Sequence, residues 1–474
     1  MADDKALSMN KNEINKKIFV LVILFSLSTL GLLAAPVLGL EVLQQRTIIL
    51  LVISIILWTT RVIPTGISAL LIIALQMTLG IAPQFSDAVQ GFASSTIYFL
   101  LAASLVSSAM TKVHLDKFLS KVLMKASRGS VQKTLWGFFL ANLALPIIMP
   151  SGNVRLRMFI PLIEEVNQRF HLGTNSPFLR FSIWMIGGLN QIGTIIVFTG
   201  GGLGILAAGL LIELGYPLTW IQWFLMMAPP IWIICTITAF FMWRYLKAYK
   251  IENKQLKAAE ESSLGIDTAI KFPFMVVIAG LFLMLFLWMV GPLWNIPSII
   301  PPLICLALFA MPGIELLDNH DLRNYDWENF LLLGSAISLA ITIQQNGTAS
   351  IIANSIFSIL GQSSYEGFNF FILVIVVFLL RAMFVSPVGA LTVIFPLAIA
   401  FAETVGLNNL FTFLTITILV ASFIILPIHS PIMILAYETG YIVFKEHLVI
   451  SLVLLITSIV IVFFCYEWYW PLFQ

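Results

Sequence analysis

The sequence predicts an all-α, polytopic membrane protein with about eleven transmembrane helices and two re-entrant hairpins. Of its 474 residues, 59% are apolar and only 10% are charged, and the mean hydropathy is +1.00. A soluble domain carries about 25% charged residues, so this chain lacks the polar groups to cover a water-facing surface. The composition therefore excludes a secreted enzyme, a nucleic-acid binder and a disordered adaptor.

Apolar segments follow one another along the whole chain. The first, at 18–40, comes after basic residues, but it is longer than the core of a signal peptide and long enough to span ~30 Å of hydrocarbon. It therefore predicts a retained first helix. The later segments lie at 47–63, 66–82, 95–111, 134–163, 180–214, 220–243, 273–292, 298–312, 329–345, 369–403, 409–444 and 448–468.

Four of these segments are interrupted by Pro, Gly, Ser or Asn residues that break helices. The breaks lie at 150–153, 193–202, 386–389 and 427–431. Irregular backbone inside a bilayer needs protein or a water-filled cavity to satisfy its polar groups. The four breaks therefore predict one buried polar site.

Two of the breaks are related to each other. Ser151 and Ser386 each stand ten positions before a Pro-Leu pair, and the earlier segments 99–104 and 330–335 are also alike. Paired interrupted segments in the two halves of a chain indicate an internal repeat and the binding site of a transporter.

The predicted organisation is a cytoplasmic N-terminus at 1–17, a first helix at 18–45, a first repeat at 46–245 with a hairpin at 134–170, a cytoplasmic linker at 246–272, and a second, inverted repeat at 273–474 with a hairpin at 369–403.

The distribution of basic residues predicts the topology. If the N-terminus is inside and neither hairpin crosses the membrane, the inside regions hold 21 of the 25 Lys and Arg residues. The outside loops then hold only Arg46. This bias follows the positive-inside rule. We therefore predict a multi-pass protein of the plasma (inner) membrane with a cytoplasmic N-terminus.

The three remaining cations, Arg155, Arg157 and Arg381, lie near the hairpin breaks and away from any loop. An intramembrane charge costs ~2.5–3.5 kcal/mol on insertion scales, so it usually marks a function or a partner. Since no Asp or Glu lies at a comparable depth, the three arginines indicate an anionic substrate. The alternative is that their guanidinium groups cap carbonyls at helix ends or extend towards the interface.

Other polar groups lie near the same breaks. His429 is the only histidine that the pattern places at membrane depth, where it either contacts substrate, carries a proton or is structurally satisfied. Helices that restart near Val154 and Gly389 would present free N–H groups to an anion. The further polar candidates in the first half are Asn190, Gln191 and Thr199.

Several stretches resemble motifs of the divalent anion/sodium symporter family, and the resemblance spans nearly the whole chain. They are W-T-T-R-V-I-P at 58–64, F-A-S-S-T-I-Y-F-L at 92–100, D-W-E-N-F-L-L-L-G at 326–334 and Gly440-Tyr441. The resemblance implies transport of dicarboxylates, citrate or sulfate by an elevator mechanism within a homodimer. It also implies a scaffold that includes parts of 18–111 and 220–312, and a transport domain with both hairpins, 180–214 and 409–444.

The family holds substrate and sodium at a Ser-Asn-Thr motif on each hairpin tip. Here the tips keep both serines but lose both Asn-Thr pairs, and the family's two G-T-P-P-N stretches are also altered. The substrate-binding residues predicted from the resemblance and from the arginines are Ser151, Gly152, Asn153, Arg155, Arg157, Thr194, Arg381, Ser386, Pro387, Val388, His429 and Ser430. The sodium ligands implied by the resemblance are Ser151, Asn153, Gly193 and Ser386.

The altered tips have fewer side-chain oxygens for a hard cation. A fixed guanidinium such as Arg155 would then supply the positive charge that a bound cation otherwise brings, which suits an anion exchanger or a uniporter. The predicted function is secondary transport of small dicarboxylates or other divalent anions, either sodium-coupled or by exchange, with sodium as a candidate coupling ion and no resident cofactor.

Two alternatives remain open. The chain transports or binds an anionic lipid headgroup, or it belongs to a branch that handles arsenite or protons, which would require a membrane carboxylate. Enzyme activity is not expected, because the Cys and His residues are scattered and no nucleophile or metal motif is present. The expected partners are a small anion, membrane lipid and a second copy of the chain, but no nucleic acid.

Overall fold

The computed structural model describes residues 11–33, 35, 36, 40–115, 118, 130–251, 271–360 and 366–473. Within these ranges the chain is built of helices and turns, without a β-strand. The predicted cytoplasmic N-terminus up to residue 10, and residues 252–270 of the predicted linker, lie outside the described ranges.

The helices are numbered here in chain order. The first group is α1 Lys11–Leu33, α2 Val42–Thr60, α3 Thr65–Thr78, α4 Phe85–Ala88, α5 Ser95–Lys112, α6 Val131–Ala144 and α7 Gly152–Arg169. The second is α8 Pro177–Trp184, α9 Asn190–Gly193, α10 Gly202–Glu213, α11 Trp220–Tyr245, α12 Lys271–Val290, α13 Ile300–Phe309 and α14 Asn319–Arg323. The third is α15 Trp327–Gln345, α16 Thr348–Leu360, α17 Glu366–Arg381, α18 Pro387–Val405, α19 Asn409–Ser422, α20 Pro431–Glu438 and α21 Phe444–Phe464.

Several of these helices are long and apolar enough to cross a bilayer. Five described stretches meet both conditions: Val42–Thr60, Trp220–Tyr245, Phe272–Trp294, Pro387–Val405 and Phe444–Phe473. The all-helical membrane fold is therefore confirmed. The number of eleven crossings stays a prediction, since other apolar helices, such as α3 and α19, are shorter.

Helices end and restart at all four predicted breaks, between α6 and α7, α9 and α10, α17 and α18, and α19 and α20. At three of the restarts a serine hydroxyl accepts a hydrogen bond from the N–H three residues later, as an N-cap does. The three pairs are Ser151 with Val154 at 3.4 Å, Ser386 with Gly389 at 3.5 Å, and Ser430 with Met433 at 3.3 Å. The serines of the two hairpins thus have the same local structural role.

The described residues divide into two compact units. One contains the described parts of Met1–Ser94, Asp326–Ser364 and Thr392–Val405. The other contains those of Ser95–Tyr325, Tyr365–Leu391 and Gly406–Gln474. Both hairpin tips and all four breaks belong to the second unit.

In the first unit, the turn at Gln90–Ala93 packs against α15 with no space for a side chain at Gly91. The Gly91 N–H donates to Ser338 Oγ at 2.9 Å. A Cβ on Gly91 would lie 2.3 Å from the Gly334 carbonyl oxygen and 2.4 Å from Ser338 N. Both obstacles are backbone atoms, so they cannot rotate away.

We therefore expect Gly91→Ala to lower the free energy of unfolding by about 1–3 kcal/mol or more, as overpacking does. The measurement is the thermal unfolding midpoint of purified protein in detergent. Gly66→Ala is the matched control, because its Cβ would be 3.4 Å from its nearest neighbours, an ordinary contact. Equal midpoints for the two variants would contradict this account of the packing.

Candidate functional site

Arg155 is completely buried and joins three segments near the first hairpin tip. Its Nε donates to Asn190 Oδ1 at 2.8 Å, and Nη1 donates to the carbonyl oxygens of Met149 and, at 2.9 Å, Gly200. Its Nη2 is also buried, and no described residue accepts a hydrogen bond from it. The guanidinium thus ties α7 to the backbone before the tip and to the break after α9.

Arg381, the last residue of α17, is also completely buried. It donates from Nε to Val420 O at 3.1 Å, from Nη1 to Phe384 O at 2.6 Å, and from Nη2 to His429 O at 2.5 Å. Its guanidinium carbon lies 5.6 Å from the centroid of the Phe423 ring. Three backbone carbonyls and one aromatic ring therefore surround the charge.

The two arginines make equivalent contacts in the two halves of the chain. Each bonds the carbonyl two residues before a tip serine, at Met149 before Ser151 and at Phe384 before Ser386. Each also bonds a carbonyl at the other break of the same half, Gly200 or His429. Arg155 follows its tip serine in the chain, whereas Arg381 precedes its own. We call each arginine, together with the two carbonyls that it binds at the tip and at the other break, a clamp.

Side-chain hydrogen bonds and neighbouring residues of the chain together connect the two clamps. Asn190 accepts from Arg155 and donates through Nδ2 to the Gly152 carbonyl at 2.9 Å. The next residue, Gln191, accepts at Oε1 from Ser430 Oγ at 2.7 Å. Since Ser430 follows His429, the breaks of both halves belong to one buried polar network. A short π-helical stretch, Met185–Leu189, leads into this network, and such stretches are frequent at functional sites.

Within the described residues, neither buried arginine forms an ion pair with a carboxylate. The ion pairs found there are Lys112–Asp321, Arg169–Glu165 and Arg180–Glu446. Removing a charge from water costs several kcal/mol even after relaxation, and carbonyl dipoles return only part of that energy. In the described part of the second unit, Arg155 and Arg381 are therefore buried positive charges without a carboxylate partner.

The other predicted site residues differ in burial. Gly152, Thr194, Pro387, His429 and Ser430 are buried, and Ser151, Ser386 and Val388 are half-buried. Among the predicted sodium ligands, Gly193 is buried and its carbonyl accepts from Ile196 N at 3.1 Å. Asn153 and Arg157 are exposed on the surface of α7. The contacts that define the network therefore involve Arg155 and Arg381, but not Arg157.

The first tip is tightly packed against the second half of the chain. A Cβ on Gly152 would lie 2.5 Å from Ile432 Cδ1 and 3.1 Å from Thr194 Cγ2. Ile432 and Thr194 thus fill the space that a side chain at position 152 would need, and only glycine fits there without a shift.

We expect Gly152→Asn to destabilise the protein by about 1–3 kcal/mol through overpacking, and Ile432→Ala in the same chain to relieve much of that loss. The thermal unfolding midpoints of the single and double variants measure both effects. Gly389→Asn is the matched control in the second hairpin, where the nearest atom to a Cβ would be 3.9 Å away. A double variant no more stable than Gly152→Asn would rule out the steric explanation.

A second buried histidine was missed by the sequence prediction, which placed only His429 at depth. His447, near the start of α21, is completely buried, and its Nδ1 accepts from Trp184 Nε1 at 3.2 Å. The apolar segment at 448–468 begins only after His447, so the hydropathy pattern assigned it to a loop. His429 Nδ1 accepts from the Leu426 N–H at 3.2 Å, which stabilises the turn before α20.

Comparison with known proteins identifies the family. A family model described as the transmembrane region of sodium:sulfate symporters matches residues 12–474. The chain belongs to this family. The predicted resemblance to divalent anion/sodium symporters is thereby confirmed, and the protein is a membrane transporter by family rather than an enzyme.

Relatives and a solved structure agree with this assignment. A membrane protein of Cupriavidus necator is 24% identical over 83% of this chain and 80% of its own. YflS of Bacillus subtilis, named as a candidate malate transporter, is 24% identical over 71% of both chains. The crystal structure of the YdaH transporter of Alcanivorax borkumensis matches with a TM-score of 0.51 at 13% identity, covering 80% of this chain and 87% of that one. At that identity the structure supports the fold alone.

Proposed function

We propose that this transporter carries small divalent anions, dicarboxylates first, across the plasma membrane. The observation that carries the proposal is the pair of buried guanidinium groups, one in each half, without a carboxylate partner among the described residues. An anionic substrate compensates such charges while it is bound. The malate named for YflS, a relative of similar size, supports the same substrate class.

The positive charge that balances the substrate is, on this proposal, built into the protein. Arg155 and Arg381 each bind carbonyls from a hairpin tip and from a neighbouring break. Carbonyl oxygens of unwound segments are the groups that hold a coupling cation in transporters with broken helices. Since guanidinium groups already occupy these carbonyls, they are not free to hold sodium, and of the two sodium-independent modes, exchange and uniport, the proposal takes anion exchange.

Sodium coupling is the competing form of the same function. In that case Ser151, Asn153, Gly193 and Ser386 hold the ion, and Gly152 and Ile432 only shape the tip. In either form we propose that Arg155, Arg381, Thr194, Ser430 and the helix N-termini at Ser151 and Ser386 bind the anion. The hairpins then move as part of an elevator within a homodimer whose N-terminus is cytoplasmic.

The experiment is uptake of labelled dicarboxylates, malate among them, and of sulfate into proteoliposomes. Each anion is tested with a sodium gradient, with a proton gradient, or with unlabelled anion inside and neither gradient. We expect uptake that requires only internal anion. Uptake that requires sodium would refute exchange but keep anion transport, and no uptake of any anion would favour an anionic lipid headgroup as the substrate.

A further inference from the structure

An apolar cavity lies in the second unit beside the first hairpin, outside the polar network. Its volume is about 370 Å³. One wall is the chain just before the tip, another is α12, and Leu115 and Phe118 complete the lining. The wall residues used below are Ile148, Met149, Ile278, Phe282, Leu285 and Trp288.

The cavity is lined by apolar side chains, so water does not fill it. A buried water needs two to four polar partners, which these side chains do not offer. The one polar atom among them, Trp288 Nε1, already donates to Ser298 O at 2.9 Å. An empty space of this size would deprive its walls of dispersion contacts. An apolar occupant is therefore favoured.

The cavity opens between exposed apolar side chains. Two of its lining residues, Ile148 and Phe282, are 45% and 69% exposed, whereas Met149 and Trp288 are buried at its floor. The stretch Phe272–Trp294 is a candidate membrane span, and only about a third of its most apolar part is buried inside the protein. A mouth between exposed apolar side chains on a candidate membrane span fits the acyl-chain region of a bilayer.

We propose that this cavity binds an acyl chain of a bilayer phospholipid. The chain enters between Ile148 and Phe282 and contacts Met149 and Trp288. Because the Met149 carbonyl accepts a hydrogen bond from Arg155, the lipid packs directly behind the backbone that the first clamp holds. It thereby stabilises the first hairpin tip from the side opposite the polar network.

The test is tryptophan fluorescence of the full chain in phosphatidylcholine–phosphatidylglycerol vesicles with and without bromine on the acyl chains. Bromine quenches indole emission only at close range. The emission of Trp288 is obtained as the difference between the parent and Trp288→Phe. The cavity is filled by the double substitution Ile278→Phe and Leu285→Phe, and Leu283→Phe, on α12 outside the cavity, is the matched control.

We expect brominated chains to quench the Trp288 emission in the parent and in Leu283→Phe, and this quenching to be lost in the filled variant. The exposed Trp468, 60% accessible, serves as a positive control through Trp468→Phe. Unquenched Trp288 beside quenched Trp468 would overturn the proposal. So would equal quenching in the filled variant, because the chain would then reach Trp288 by another route.

A second measurement does not depend on Trp288→Phe folding. The parent is expected to lose thermal stability when lipid is removed with a short-chain detergent and to regain it with long-chain phospholipid. The filled variant should show a smaller loss and a smaller recovery than Leu283→Phe. An equal response of these two variants would contradict an acyl chain in this cavity, whatever the transported substrate is.

Discussion

Arg155→Ala protein is expected to lose dicarboxylate uptake almost completely and to unfold at a lower temperature than the parent. The substitution leaves Asn190 Oδ1 and the carbonyls of Met149 and Gly200 without their donor. Leaving a buried acceptor without its donor costs about 1–3 kcal/mol. The measurements are the initial rate of uptake into proteoliposomes and the thermal unfolding midpoint in detergent.

Two further substitutions separate the charge of Arg155 from its role as a clamp. Arg155→Lys keeps the charge on a single donor atom, whereas Arg155→Gln keeps an N–H donor without charge. We expect residual uptake from the lysine variant and none from the glutamine variant. Arg169→Ala, at the end of the same helix, removes a positive charge that is paired with Glu165 and should leave uptake unchanged. An active glutamine variant would show that the clamp alone is needed.

Arg381→Ala is expected to abolish uptake and to cause a loss of stability similar to that of Arg155→Ala. Its acceptors, at Val420, Phe384 and His429, are backbone carbonyls, so no side-chain substitution can remove them. Water cannot easily replace the guanidinium there, because its site is fully buried. Proteoliposome uptake and thermal unfolding again give the two readouts.

The control for Arg381 is Phe423→Leu, which removes only the ring beside the guanidinium. A cation–π contact contributes about 0.5–2 kcal/mol, so this variant should remain folded and active with a modest loss of stability. If Arg381→Ala were as active and as stable as Phe423→Leu, the second clamp would have no role in holding the tip or the anion.

The sequence predicted those features that depend on side-chain type. Hydropathy identified most of the apolar helices but not α4, α14 or α16, and Pro, Gly and Ser residues located all four breaks between α6 and α20. Charge placement singled out Arg155 and Arg381 as intramembrane cations. The alternative considered for these arginines was that they bind carbonyls at helix ends, and the structure shows contacts of this kind.

The partners of the arginines were not predictable, because a backbone carbonyl has no sequence identity. Nothing in the glycine run marks the Gly200 oxygen as an acceptor of Arg155, and nothing near Pro427 marks that of His429. The packing of Ile432 over Gly152 was hidden for a related reason. It depends on contact between segments 280 residues apart, and in an apolar chain one isoleucine looks like any other. Arg157 differs from Arg155 in burial, since its side chain is exposed although its position lies near the same break.

The most direct test of the central claim is the dependence of anion binding on sodium. The thermal unfolding midpoint of purified protein is measured against dicarboxylate concentration in choline buffer and in sodium buffer, for the parent and for Arg155→Gln. A ligand that binds only the folded state raises the midpoint with concentration. The account predicts the same rise in both buffers for the parent and none for Arg155→Gln. A rise that appears only in sodium would show that the positive charge comes from the ion and not from the buried arginines.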